Sequence, residues 1–231
     1  MSLIERLPWD SNFFEFEVGK FTIDKLFDFT SFKNEAKKYR LVYIFSDLII
    51  KGENLKLVDK KVIFNQSIPF SSCLSNYNNK IESFNPKLHD LDQLINLTLH
   101  SGIYSRFYTD DNFKSNEYKK LYTEWILNSL NGQLAFDVLI SVSNSKILGF
   151  CTISKKDNAL ADIGLVAVDK QARGKGLGTE LIHRAIQLAK DKNLGSIQVV
   201  TQLNNLPAVK LYTKTNFEMG RITNIYHYWN L

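Results

Sequence analysis

Three glycines stand at alternate positions in the segment Val168-Asp169-Lys170-Gln171-Ala172-Arg173-Gly174-Lys175-Gly176-Leu177-Gly178-Thr179, between an apolar run and an amphipathic one. Residues without a Cβ leave successive backbone N–H groups open, and a helix beginning there aims the positive end of its macrodipole at the same place. Such a turn is built to hold a diphosphate. Arg173 and Lys175 add positive side chains to it. The spacing excludes both common nucleotide turns. Gly174, Gly176 and Gly178 lack the two-residue gap of the dinucleotide fingerprint, and no Lys-Ser/Thr closes a P-loop. Taken alone, a glycine-rich turn also serves a close contact between helix and strand.

Downstream lies a second segment with chemistry in it, Asn205-Leu206-Pro207-Ala208-Val209-Lys210-Leu211-Tyr212-Thr213-Lys214-Thr215-Asn216-Phe217. Ala208 is small, and Tyr212 falls one helical turn further along the same face. The pair of motifs, Gln171-x-x-Gly174-x-Gly176 and Asn205-x-x-Ala208-x-x-x-Tyr212-x-x-x-Asn216-Phe217, resembles the two signatures of the GNAT N-acetyltransferase superfamily. Asn216 stands where the superfamily usually has Gly, and Asn tolerates the left-handed conformation of a helix C-cap.

The resemblance implies acetyl-CoA as cofactor and direct acetyl transfer to an amine. It implies cofactor contacts from Leu165, Val166, Ala167 and Val168 of a strand, from Gln171, Arg173, Gly174, Lys175, Gly176, Leu177, Gly178 and Thr179 of the turn, and from Asn205, Ala208 and Tyr212. A splayed pair of parallel strands, at 165–168 and 199–201, would take the pantetheine arm, with a backbone N–H near Val166 facing the developing oxyanion. Tyr212 would be the acid that protonates the departing sulfur, a duty suited to a phenol with an ordinary pKa of about 10. The bland alternative for Tyr212 is a half-buried core tyrosine. No covalent intermediate is implied, so Cys151, on an apolar strand, reads as core. The general base is not legible.

Two clusters outside these motifs mix aromatic and charged residues: Leu7-Pro8-Trp9-Asp10-Ser11-Asn12-Phe13-Phe14 and Ser105-Arg106-Phe107-Tyr108-Thr109-Asp110-Asp111-Asn112-Phe113, the latter followed by Tyr118, Tyr122-Thr123-Glu124-Trp125-Ile126 and Asn128-Ser129. They resemble dTDP-amino-sugar N-acetyltransferases of the dTDP-fucosamine acetyltransferase type, which extends the resemblance over nearly the whole chain. The implied substrate is a dTDP-linked amino sugar, contacted by Trp9, Asp10, Phe13, Arg106, Tyr108, Asp110, Tyr122 and Trp125. Aromatic faces stack a base or sugar, Arg106 takes a pyrophosphate, and Asp110 or Asp111 receives hydroxyl or ammonium hydrogens. Against this, Trp125 also reads as a core residue, and Trp9 with Phe13 and Phe14 as an anchor for the N-terminal strand. Two other functions stay open: acetylation of another small amine or of a protein N-terminus, and a non-catalytic acyl-CoA sensor.

These residues must be positioned by regular elements, and the periodicities predict them. Alternation over Phe14–Thr22 predicts a strand, three- and four-residue spacing over Asp28–Tyr39 a helix, and the apolar run Leu41–Phe45 a buried strand. Leu55–Asn65 reads as a strand or hairpin, and Ser71–Phe84 as a linker. Helices are expected over Leu88–Leu99 and Glu117–Leu130, separated by a turn at Asp110–Phe113. Strands are expected at Phe136–Val142 and Ile147–Ser154, joined by a turn at Asn144-Ser145, and at Ala161–Val168, buried on both faces. A long helix over Gly174–Lys192, a strand at Ile197–Thr201, a short helix at Pro207–Lys214 and a final strand pair from Phe217 complete the reading. The expected fold is α/β (α+β with a mixed sheet), with a small N-terminal α/β domain over 1–75 and a GNAT domain over 84–231.

Composition bounds the rest. With 44% hydrophobic residues among 231, the chain can bury enough surface to offset the entropy of ordering, which excludes disorder. Two Cys and four unclustered His exclude a disulfide scaffold and point to no metal. The 29 Lys+Arg exceed the 24 Asp+Glu by five, but they are scattered, so no nucleic-acid partner is expected. No apolar run approaches the roughly 20 residues of a membrane span, and the N-terminus reads as neither signal nor transit peptide, so a cytoplasmic location is expected. The apolar stretch Tyr226-His227-Tyr228-Trp229 suits either a subunit contact, hence a possible homodimer, or a closing sheet strand.

Overall fold

The computed structural model describes residues 4–23, 29–68 and 81–230. Most of the expected linker, with Cys73, lies outside them. In chain order the elements are β1 (Glu5–Arg6), α1 (Pro8–Phe14), β2 (Val18–Ile23), α2 (Phe29–Ala36), β3 (Leu41–Ser46), β4 (Leu55–Ser67), β5 (Ile81–Ser83), α3 (Leu91–Ser101), α4 (Arg106–Thr109), α5 (Ser115–Leu130), β6 (Asp137–Ser143), β7 (Lys146–Lys155), β8 (Leu160–Val168), α6 (Leu177–Asp191), β9 (Ser196–Gln202), α7 (Leu206–Lys214) and β10 (Glu218–Trp229). Contacts divide the chain into two compact units, Met1–Val62 with Gln202–Asn204 and Arg221–Leu231, and Ile63–Thr201 with Asn205–Gly220.

In the first unit the strand order is β1-β2-β3-β10, with β2 and β3 parallel and the other pairs antiparallel. Phe21, Phe32, Val42, Ile44, Tyr226 and Tyr228 form its core. Two expectations are corrected here. Phe14 ends a helix and does not begin a strand: Pro8 occupies the first turn, where its missing N–H costs nothing, and Glu15 turns the chain at φ 61° before β2. Ser11 ties that corner, its Oγ donating to the Leu7 carbonyl at 2.8 Å and accepting from Val18 N–H at 3.0 Å. The segment after Phe217 is one long strand, whose residues Asn224 to Trp229 pair antiparallel with Ser46 to Leu41. Tyr226, His227, Tyr228 and Trp229 are accordingly buried strand residues.

The second unit carries the order β4-β9-β8-β7-β6-β5, with β8 and β9 parallel and β5 to β8 antiparallel. Leu94, Leu97 and Ile126 of α3 and α5 pack on Val138, Ile140, Phe150 and Ala167, while Leu177 and Leu181 of α6 lie over Gly149, one residue along from Phe150 and so on the opposite face. Asn144 (φ 50°) and Ser145 (φ 59°) form the expected hairpin turn between β6 and β7, both left-handed as the strand twist requires. Helix α3 starts at Leu91, later than expected, because the Asp90 carboxylate caps Asp92 and Gln93 N–H; Leu88 stays outside it and exposed. Among the described residues, no helix is long and apolar enough to cross a membrane.

Candidate active site

The site begins where two neighbouring strands part. Strands β8 and β9 pair from Leu160↔Ser196 to Ile163↔Val199, and there the pairing stops. One residue further, the β7–β8 register shifts between Cys151 and Ile153, so that Gly164 and Leu165 together oppose Thr152. This is a bulge, which bends the strand carrying the extra residue. Its chemistry is local: Thr152 Oγ1 accepts from Leu165 N–H at 2.8 Å, and a Cβ on residue 164 would sit 2.8 Å from that oxygen. Only glycine fits. Replacing the threonine by valine keeps the shape but leaves the Leu165 donor unpartnered. Thr152→Val should therefore cost about 1–3 kcal/mol of stability, read from urea denaturation.

Beyond the bulge, β8 presents backbone to the gap. Asp169 N–H donates to the Leu148 carbonyl at 2.7 Å. Counting back along an antiparallel ladder, Phe150 and Ala167 form the next bonded pair, so the N–H groups of Val166 and Val168 point away from β7, toward the gap. The Val168 carbonyl, on the same edge, accepts from Arg173 Nε at 3.0 Å. Strand β8 is thus not buried on both faces as expected: Gly164 is exposed and Leu165, Val166 and Val168 are half-buried.

The glycine turn follows. Asp169 Oδ1 accepts from Gln171 N–H at 2.9 Å, and its carboxylate pairs with Lys146 at 3.1 Å, which pins the turn's first residues. Those contacts hold the Asp169 pKa below the usual carboxylate range, the backbone bond from Gln171 contributing most. Gly174 and Gly176 take φ of 76° and 85°, which is why α6 starts only at Leu177 and not at Gly174. Gly178 is different. It is helical, and a Cβ there would lie 3.4 Å from Leu211 of α7, so it serves the approach of two helices. The N–H groups of Leu177, Gly178 and Thr179 are the unsatisfied donors of the helix's first turn. They open on a cavity of about 390 Å³ lined by Val166, Ala167 and Val168, by Arg173 to Thr179 except Lys175, and by Asn205, Ala208, Leu211 and Tyr212. Donors, positive dipole and open space over Gly174 and Gly176 together fit a diphosphate-bearing ligand. Leu165, Gln171 and Lys175 do not line the cavity; Gln171 Oε1 accepts from Lys146 at 3.4 Å.

Helix α7 supplies the far wall. The Asn205 side chain caps it, accepting from Ala208 N–H at 3.3 Å. At its end Asn216 is left-handed at φ 65°, with Phe217 N–H bonded to Tyr212 O and Asn216 N–H to Thr213 O. This is the paired closing motif that the glycine replacement preserves. Tyr212 is 4% exposed, its ring against Phe64 and Phe217 at 5.7 and 6.0 Å. Burial, and then the neighbouring Cys151 thiol, push its pKa well above that of free tyrosine. The Cys151 thiol is itself fully buried and pushed up by desolvation, which leaves little thiolate to act as a nucleophile.

The family model of the GNAT acetyltransferases matches residues 99–217, slightly more than half of the chain. The chain belongs to the GNAT acetyltransferase family. Among its relatives, the spore coat polysaccharide biosynthesis protein SpsD of Bacillus subtilis is 25% identical over 179 residues, covering 77% of this chain and 57% of that protein. Streptothricin acetyltransferase A of Bacillus subtilis is 34% identical over 119 residues, covering 50% and 66%. The dTDP-fucosamine acetyltransferase of Escherichia coli is 29% identical over 97 residues, covering 42% and 41%. The chain thus spans between 41% and 66% of the length of these relatives. A solved protein from Staphylococcus epidermidis shares the fold at 11% identity, with a TM-score of 0.62 over 93% of this chain and 84% of that one.

The GNAT cavity has a wall that sequence reasoning missed: His100, Ser101, Ile103 and Tyr104, from the end of α3 and the loop after it. The wall is held from behind by tyrosines. Tyr118 Oη donates to the Leu99 carbonyl, and a Cβ on Gly102 would fall 2.3 Å from the Tyr122 ring. None of the residues expected at the substrate lines this cavity. Tyr122 and Asp110 are buried, the Tyr122 and Trp125 rings meet at a tilt with centroids 4.9 Å apart, and Asp110 accepts from Asn112 Nδ2 at 3.1 Å. Arg106 is half-buried over the Phe107 ring, and Tyr108 is 56% exposed. Trp9, Asp10 and Phe13 belong to the first unit, where Trp9 stacks on Phe13 at 5.1 Å and Asp10 accepts from Tyr43 Oη at 3.2 Å. A signal for the missed wall was present in Gly102, between His100-Ser101 and Ile103-Tyr104, but its meaning depends on the tyrosine ring that α5 brings to it.

Proposed function

We propose that this chain is an acetyl-CoA-dependent N-acetyltransferase whose acceptor is the amine of a nucleotide-linked amino sugar. The observation that carries the catalytic reading is the convergence on one cavity of a first-turn donor set, a strand edge with Val166 N–H directed into a gap, and the Tyr212 phenol. When bound, acetyl-CoA supplies an activated acyl carbon on a thiolate leaving group.

Each residue then has a task that follows from where it stands. The N–H groups of Leu177, Gly178 and Thr179 and the side chain of Arg173 hold the diphosphate. Val166 N–H would donate to the acyl oxygen of a bound acetyl-CoA, a contribution of a few kcal/mol in such sites. Tyr212 keeps its proton through neutral pH because burial disfavours the phenolate, and it would be the group to give a proton to the sulfur of a bound acetyl-CoA. A mere binding module needs no acid at this position.

For the acceptor, the support is the biosynthetic role in the name of SpsD and the substrate in that of the Escherichia coli relative. Within the cavity-bearing unit, Arg106 and Tyr108 lie shortly after the wall residues Ile103 and Tyr104 in the chain and remain our candidates for the sugar nucleotide. The test is thiol release from acetyl-CoA in the presence of dTDP-amino sugars, streptothricin and a peptide with a free N-terminus. Release with the amino sugars, at least about tenfold faster than with the others (a difference of about 1.4 kcal/mol), is expected. Release only with streptothricin or the peptide would overturn the acceptor and keep the transferase. Cofactor binding without release on any amine would favour a sensor.

A further inference from the structure

We infer that His100 is the group that takes up the proton an acceptor ammonium sheds before it attacks. The inference rests on the acetyltransferase reading and adds to it the missing base. His100 lies in the last turn of α3 and lines the cavity that also holds Tyr212 and the Val166 edge. Its Nδ1 is 2.9 Å from the Asn96 carbonyl oxygen. A carbonyl can only accept, so Nδ1 carries the ring proton and Nε2 keeps a lone pair.

Elimination points the same way. The other ionisable side chains lining the cavity are Tyr104, Arg173, Tyr212 and Lys214, all of types that hold their protons through neutral pH. Among the described residues of that lining, imidazole alone exchanges a proton in this range. The charged neighbours of the ring are Asp169 and Lys146, themselves paired at 3.1 Å. The small pocket between α3 and β7 that His100 also lines contains both of these groups.

The proton bookkeeping closes. The ammonium N–H bond breaks with its electron pair left on nitrogen, and the proton passes to Nε2, directly or through one water. Because His100 is exposed, the imidazolium returns that proton to solvent. The nitrogen lone pair forms the C–N bond, the C–S bond breaks, and sulfur takes the Tyr212 proton. The second proton lost by nitrogen restores the phenol.

The test compares the intact chain with His100→Gln and His100→Ala, using the amine that the panel above identifies. For the unsubstituted chain, kcat/KM should climb with pH on its acidic side. Both variants should lose about a hundredfold or more at neutral pH, recover as the pH rises and the amine deprotonates unaided, and respond to added imidazole. Acetyl-CoA binding by calorimetry should stay unchanged, and folding should be checked by thermal melting. Independently of turnover, 15N NMR of the imidazole should show the Nδ1–H tautomer. Variants with unaltered rate and pH profile, or an Nε2–H tautomer, would overturn the inference while leaving the transferase intact. An unsubstituted chain that binds acetyl-CoA and releases thiol on no amine overturns both.

Discussion

Tyr212→Phe should lower turnover by about 10²- to 10⁴-fold, the range associated with losing a positioned proton donor, while leaving acetyl-CoA affinity nearly unchanged. The substitution is conservative in packing. The ring keeps its contacts with Phe64 and Phe217, and only the hydroxyl is lost. Pre-steady-state thiol release separates the two effects, since cofactor binding precedes chemistry. The pH profile gives a second reading. A group that must be protonated makes the rate fall as pH rises through its pKa, and burial moves that pKa upward. The fall assigned to Tyr212 should therefore come at higher pH than for free tyrosine, and should vanish in the phenylalanine variant. A variant that turns over at the original rate would remove Tyr212 from the chemistry.

Gly176→Val should weaken acetyl-CoA binding about tenfold, measured by calorimetry, because a β-substituted residue in the left-handed region costs roughly 1–2 kcal/mol. Gly176 sits at φ 85°, immediately before the first turn of α6. The space beside it is open, so the penalty is one of backbone conformation and not of collision. To relieve it the turn must rotate, and the donors of Leu177, Gly178 and Thr179 rotate with it. Gly178→Ala is the control. That position is already helical and an added Cβ would touch only Leu211 side-chain atoms at 3.4 and 3.5 Å, so its effect on affinity should be small. Equal losses in both variants would mean that the turn does not hold the diphosphate through its backbone.

Much of this site could be read from local pattern. The turn with Gly174 and Gly176, the capped helix from Asn205 to Asn216 and the hairpin at Asn144-Ser145 each depend on residues a few positions apart. In each, a short-range preference for left-handed backbone or for an N-cap decides the outcome. The same logic failed where two periodicities overlapped. Phe14 satisfies strand alternation with Phe16 and Val18, yet Pro8 and the Ser11 bonds make it the end of a helix.

What the sequence alone determined is the set of residues on offer: glycines opening a helix after an apolar strand, and a tyrosine one turn beyond a small residue on a capped helix. Tertiary structure decided where that chemistry can act. The gap between β8 and β9 exists because Thr152, distant in sequence, captures the Leu165 N–H and forces a bulge at Gly164. The tyrosine-rich segment of α5, read as a ligand surface, instead backs a wall that places His100 at the cavity. Propensity and spacing act over one or two turns of chain, whereas strand register and the packing of a ring on a glycine are set only when distant segments meet.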